Sequence, residues 1–207
     1  GGNANTSPGV GRGVRFGRRR SRVSDLPEYF GELPVVTMAE EIETPGAGQV
    51  RALVCVAGNP VVSTPNAGRL DDALASLEFM VAVDIYRNET TRHANVILPP
   101  PRVLAKSHYD LALYSLAIRN VANYSPALVD LEPYEMAEWE ILLRVAAIAA
   151  GRRGTATAAA ALDDAALSTV VQKAVGRAGS LVEGRDAEEL IEILSAGGRR
   201  GPERILD

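Results

Sequence analysis

Between residues 50 and 100 the apolar positions follow a strand pattern, then a helix pattern, then a strand pattern again. Leu53 to Ala57 form a short unbroken apolar run, the signature of a strand inside a sheet. Leu70, Leu74 and Leu77 then recur at helical spacing behind Thr64 and Pro65, which predicts a helix over 65–77 with Thr64 as cap and Pro65 at its first position. A second apolar run, Phe79 to Val83, closes on Asp84. The whole block reads as strand 51–57, helix 65–77, strand 79–85, a short helix 89–94 capped by Asn88, and strand 95–98. Pro99, Pro100 and Pro101 then end any ladder or helix. Short helical crossovers demand parallel strands and right-handed connections. This topology puts Gly58, Asn59 and Pro60 beside Asp84 at the carboxyl edge of one sheet, where such folds place ligands.

Around this block the pattern is weaker. Residues 1–34 are rich in Gly, Pro and Arg with little periodicity, and "VVTMAEEIE" after Pro34 predicts a short amphipathic helix before a Gly/Pro turn at "TPGAGQ". Residues 102–131 read as strand or irregular loop. A helix is predicted over 134–150, with Met136, Trp139, Leu143 and Ala146 on one face and Gly151 as its stop. The Ala-rich stretch 152–162 reads as a linker, Asp163 as the cap of a helix to Val175, and Asp186 with Glu189 as a capping box for 187–195. The fold class is therefore α/β: a Rossmann-like parallel sheet of three or four strands flanked by helices, with additional C-terminal helices. Three regions are expected: a leading segment 1–49, a dinucleotide-binding block 50–150, and a helical extension 151–207. Both ends read as cut, with no initiator Met before "GGNANTSPG" and a final helical turn at "GPERILD".

Composition narrows the function classes. With 207 residues, 46% of them hydrophobic, the chain can bury a real core. A net charge of -4 and a pI near 5.4 do not call for nucleic acid or a charged membrane surface. A single cysteine excludes an internal disulfide framework and any cysteine-only metal cluster. No apolar run is long enough to span a bilayer, and a cytoplasmic location is the expectation. Six arginines between Arg12 and Arg22 stand out. They suit a nucleic-acid arm, an ordered loop laid on an anionic cofactor or partner domain, or a solvated tail.

The candidate chemistry sits at the two strand ends. Gly58 lets backbone approach a ligand, and the N–H groups after it favour an anion, although a plain strand-to-helix turn needs no more than this. Asp84 follows about twenty-five residues on, the separation at which dinucleotide folds place an acid on ribose hydroxyls; a capping or solvated carboxylate is the other reading. Cys55, inside "ALVCVAG", reads as a small buried hydrophobe. His93 reads as a surface or capping residue, and His108 as a loop histidine. Neither has a partner that would make it a general base, so no catalytic residue and no metal ligand is assigned.

Taken together, "VAGNPVVSTPN" and "FMVAVDIYRNETTRHANVILPPP" closely resemble the molybdopterin oxidoreductases, the family that includes formate dehydrogenases and nitrate reductases. The resemblance runs through Gly58-Asn59-Pro60, Asp84-Ile85-Tyr86, Glu89-Thr90-Thr91 and Ala94-Asn95-Val96-Ile97-Leu98-Pro99. It continues more loosely in "MAEWEILLRVAAIAAG", centred on Glu138-Trp139-Glu140. Val83 stands where the family usually has Gln, and Asn95 where it has Asp. The resemblance implies a formate dehydrogenase-like segment that holds the guanine dinucleotide arm of a molybdopterin cofactor carrying molybdenum, through Gly58, Asn59, Pro60, Asp84, Glu89, Thr90 and Thr91. It also implies a [4Fe-4S] cluster in the parent protein but not in this segment, and as partners the remaining domains of that parent and an electron-transfer protein, with no membrane. A non-catalytic relative, such as the large iron–sulfur subunit of respiratory complex I, is the alternative reading. A nucleic-acid-binding module led by the arginine arm is the third.

Overall fold

The computed structural model describes residues 16–29, 31–109, 117–119, 121 and 123–205. Arg12 and Arg15, and most of the 110–122 stretch expected as strand or loop, lie outside the described residues. Two compact units form, one up to Pro100 and one from Pro101 onward.

The first unit opens with a hairpin. Strand β1 (Phe16–Arg20) pairs antiparallel with β2 (Pro27–Tyr29), and the Phe16 and Tyr29 rings meet edge to face at 6.4 Å. Its centre is a fully buried carboxylate, Glu28. Glu28 accepts from the Arg18 backbone N–H at 2.7 Å, from the Arg18 guanidinium at 2.6 and 3.1 Å, and from Gly31 N–H at 2.9 Å. Four donors satisfy a charge that burial would otherwise make costly. Arg20 pairs with Asp25 across the turn, and Arg22 reaches the buried Glu41 on the following helix at 3.2 Å. Three of the described arginines are thus spent on carboxylates of their own chain, while Arg19 is exposed.

A 3-10 turn (Val35–Thr37) leads into α1 (Met38–Glu43), as the amphipathic pattern predicts. The parallel sheet follows: β3 (Ala52–Val56), β4 (Phe79–Val83) and β5 (Val96–Leu98), in spatial order β3-β4-β5. Register pairs Val56 with Val83 and Val83 with Leu98, so all three strands end together. Ala39, Ile42, Val61, Leu70, Ala73, Leu74 and Met80 form the core under one face. Val54, Val56, Phe79 and Val96 lie on the sheet's exposed side.

The crossover expected to carry one helix over 65–77 carries two, one of them ahead of that range. Helix α2 (Pro60–Ser63) begins at Pro60, and α3 (Ala67–Ala75) begins after Asn66. Proline is the cause: it forces the residue before it out of helical geometry. Thr64, preceding Pro65, is extended at φ -115° and ψ 158° and closes α2 instead of opening a helix. Asn66 then turns the chain at φ 61°, a left-handed conformation that Asn tolerates well.

In the second unit a two-residue pairing joins β6 (His108–Tyr109) and β7 (Tyr124–Ser125). Three helices follow, α4 (Glu138–Ala149), α5 (Ala156–Val175) and α6 (Ala187–Ser195). The Ala-rich stretch is helix rather than linker. Alanine is the strongest helix former, and Thr155 caps α5 by accepting from Ala158 N–H at 3.2 Å. Asp163, expected as the cap, lies inside α5 and with Asp164 holds the buried Arg204 of the final 3-10 turn. Asp186 caps α6 as expected, accepting from Glu188 and Glu189 N–H.

The hydrogen bonds from Arg18 hold the Glu28 carboxyl down at about 2. A depressed carboxylate stabilises the fold above its unfolded value near 4.5 and loses that contribution as pH falls through the folded value. Glu28→Gln should therefore melt below the wild type at pH 7. The gap should close as pH falls from about 4.5 to about 2, read by circular-dichroism melts across that range.

Candidate functional site

Because the strands end in register, the loops after β3 and β4 start side by side. The ladder extends one residue further through Ala57 N–H to Val83 O, 2.9 Å. Ala57 then adopts φ 50°, a left-handed conformation that costs an alanine about 1 kcal/mol or more. The next residue, Gly58, has no such backbone requirement. A Cβ built there meets only Pro60 Cδ, Val56 O and Cys55 Sγ at 3.7 to 3.8 Å, ordinary contact distances. The fold itself would accept a side chain at Gly58, and its absence leaves backbone open at the sheet edge.

Asn59 joins the two loops. Its Nδ2 donates to Glu89 Oε2 at 2.7 Å, and its Oδ1 accepts from Thr90 Oγ1 at 2.7 Å. The same Thr90 oxygen accepts from Val61 N–H at 3.0 Å. The bond from the Asn59 amide is the largest cause that draws Glu89 below the ordinary carboxylate range. On the β4 side, Asp84 Oδ1 accepts from Tyr86 N–H at 2.9 Å and Oδ2 from Asn88 Nδ2 at 3.2 Å. Asn88 Oδ1 in turn accepts from Thr90 and Thr91 N–H at 3.0 and 2.9 Å, just ahead of a 3-10 turn at Thr91–His93. This turn is shorter than the helix expected over 89–94, and because it starts at Thr91 its cap position is Thr90 and not the expected Asn88. Thr91 Oγ1 accepts from Asn88 N–H and donates to Tyr86 O.

All seven sequence-predicted residues therefore meet at one edge, in two different roles. Thr90 and Thr91 are fully buried with their hydroxyls engaged inside the chain, so they build the platform and do not face a ligand. Pro60 opens α2. Gly58 backbone and the half-buried Asp84 carboxylate face the edge. An open depression of about 360 Å³ beside them is lined by Arg87, Asn88, Glu89 and Arg92. The two arginines were not singled out from the sequence, and their places in the turn after "VDIY" were the available signal.

Cys55 is half-buried and donates weakly to Gly58 O at 3.4 Å; burial pushes its thiol up, which suits a packing role. His93 meets Asp71 at 2.6 Å, and with Arg92 it lowers that carboxyl. His108 lies in β6, exposed and paired with Ser125. Val83 is fully buried, so nothing at that position reaches the edge. Asn95 Oδ1 accepts from Met80 N–H at 2.7 Å, a bond an aspartate could equally accept. Among the described residues no group of three His, Cys, Asp or Glu side chains could hold a metal ion, and no helix is long and apolar enough to cross a membrane.

Two substitutions test this geometry. Thr90→Val keeps the shape but strands the Val61 N–H and the Asn59 Oδ1, and should cost about 2 kcal/mol in urea unfolding. Ala57→Gly relieves the left-handed alanine and should raise the urea midpoint by the equivalent of about 1 kcal/mol.

Residues 6–103 match the family model of the molybdopterin oxidoreductases. The chain is 41% identical over 64 residues to the assimilatory nitrate reductase catalytic subunit of Bacillus subtilis, covering 31% of this chain and 9% of that protein. It is 38% identical over 64 residues to the F420-dependent formate dehydrogenase subunit alpha of Methanocaldococcus jannaschii, with the same 31% and 9% coverage. A probable oxidoreductase of Bacillus subtilis, YyaE, is 24% identical over 118 residues, 57% of this chain and 17% of that protein. The matched stretches thus span less than a fifth of these relatives, and no solved structure matches. Over residues 6–103, just under half of its length, the chain is thus similar to the molybdopterin oxidoreductase family.

Proposed function

We propose that this chain is the part of a molybdenum-dependent oxidoreductase that holds the guanine dinucleotide arm of a molybdopterin cofactor. The observation that carries the reading is that Gly58 and Asp84 directly follow residues hydrogen-bonded to each other, Ala57 and Val83, at the carboxyl edge of a parallel sheet. There the fold leaves space that a Cβ could fill at no steric cost. Parallel α/β sheets bind nucleotides at that edge. A second support comes from chemistry. A nitrate reductase and a formate dehydrogenase match at nearly equal identity, 41% and 38%. A stretch common to enzymes of such different substrates serves what they share, and a cofactor is the natural candidate.

The residues present fit such a group. Each Asp84 oxygen accepts one bond from its own chain, which leaves lone pairs for ribose hydroxyls or the donor edge of guanine. The Gly58–Asn59 backbone offers close approach, while Asn59, Asn88, Thr90 and Thr91 keep both loops in place. When bound, the molybdenum and its pterin supply the electron-transfer chemistry, and these residues supply orientation. The parent's other domains and any iron–sulfur cluster would complete the grip and the electron path.

Asp84→Asn retains an acceptor for Tyr86 N–H, so its melting temperature should stay close to that of the wild type. It should weaken GDP binding by about tenfold or more, the worth of a charged hydrogen bond. Calorimetric titration of both proteins decides: equal affinities would remove Asp84 from the nucleotide. Metal and pterin analysis of the parent protein gives a second check, and absence of both would overturn the reading.

A further inference from the structure

Resting on the nucleotide reading above, a question of charge remains open at the same edge. Asp84 and Glu89 place two carboxylates beside the depression, and a nucleoside diphosphate brings further negative charge. Carboxylates alone would repel it. Two guanidinium groups line the depression, those of Arg87 and Arg92. Arg92 is spent: it pairs with Asp71, which also takes His93 at 2.6 Å. Arg87 is exposed and, among the described residues, makes no hydrogen bond or ion pair.

The base of that side chain is fixed. Tyr86, just before it, is held by Asp84 at its N–H and by Thr91 at its carbonyl. Asn88, just after it, is held by Thr91 at its N–H and by Asp84 through its side chain. A mobile guanidinium rooted in a pinned turn loses less freedom on binding than one in a loose loop. Its planar fork matches phosphate oxygens in a two-point contact.

We propose that Arg87 is the diphosphate-binding residue of this site, dividing the work with Asp84: the carboxylate takes the nucleoside and the guanidinium takes the phosphates. This division makes the site selective for a nucleoside diphosphate over the bare nucleoside.

The test is calorimetric titration of the chain with GDP and, separately, with guanosine, for wild type, Arg87→Gln, Arg87→Lys and Arg92→Gln. Wild type should bind GDP at least about tenfold more tightly than guanosine. Arg87→Gln should bring GDP down to the guanosine level and leave guanosine itself unchanged, while Arg87→Lys retains part of the difference. Arg92→Gln, whose charge already serves Asp71, should leave the ratio intact. Arg87 is exposed and unpaired, so its variants should melt with the wild type. Wild type that binds neither ligand overturns the nucleotide reading and this assignment with it. Wild type that binds both equally, an Arg87→Gln chain that keeps its GDP affinity, or a loss that appears in Arg92→Gln instead, overturns the Arg87 assignment alone.

Discussion

One buried hydroxyl holds the candidate site together. Thr90 Oγ1 donates to Asn59 Oδ1 and accepts from Val61 N–H, and so joins the loop after β3 to the loop after β4. Val61 is buried, so its N–H would carry a full desolvation cost without this partner. Everything that faces the sheet edge is referred to that junction. Asn59 is oriented by it, Glu89 is oriented by Asn59, and Asn88, which accepts from Thr90 N–H, passes the constraint on to Asp84.

A second constraint concerns charge. The chain has many arginines and acids in near balance, and several of them are committed to each other: Arg18 to Glu28, Arg22 to Glu41, Arg69 to Glu43, Arg204 to Asp163. An arginine-rich stretch on paper is therefore an internally paired hairpin in space, at least from Phe16 onward. An arginine without a carboxylate partner stays available to an anion from outside the chain. Arg87, unpaired beside two carboxylates, is such an arginine.

Much of the first unit was legible because its signals are local. An unbroken apolar run, a change to helical spacing and a stop at proline specify strand, helix and strand within a few residues of each other. The α/β class, the parallel sheet and the aligned strand ends follow from them. The errors were also local in origin. Pro65 was read as a helix start when its stronger effect falls on Thr64 before it. The Ala-rich stretch was read as linker, although alanine needs only a cap, here Thr155, to make a helix.

The sequence by itself determined which residues come to the sheet edge, because strand length and crossover length place Gly58 and Asp84 there without reference to any distant contact. Tertiary structure alone decided what each of them is free to do. Thr90 and Thr91 look as available as Asp84 in the string "DIYRNETT", yet partners up to 31 positions away consume the Thr90 hydroxyl. It also decided which side of the apolar strands is covered: Met80 and Ala82 are buried while Val54 and Val56 are exposed. An unbroken apolar run has no period from which a face could be read. Hydrogen-bond partners and covered faces are settled by groups far apart in the chain, and no window of neighbouring residues contains them.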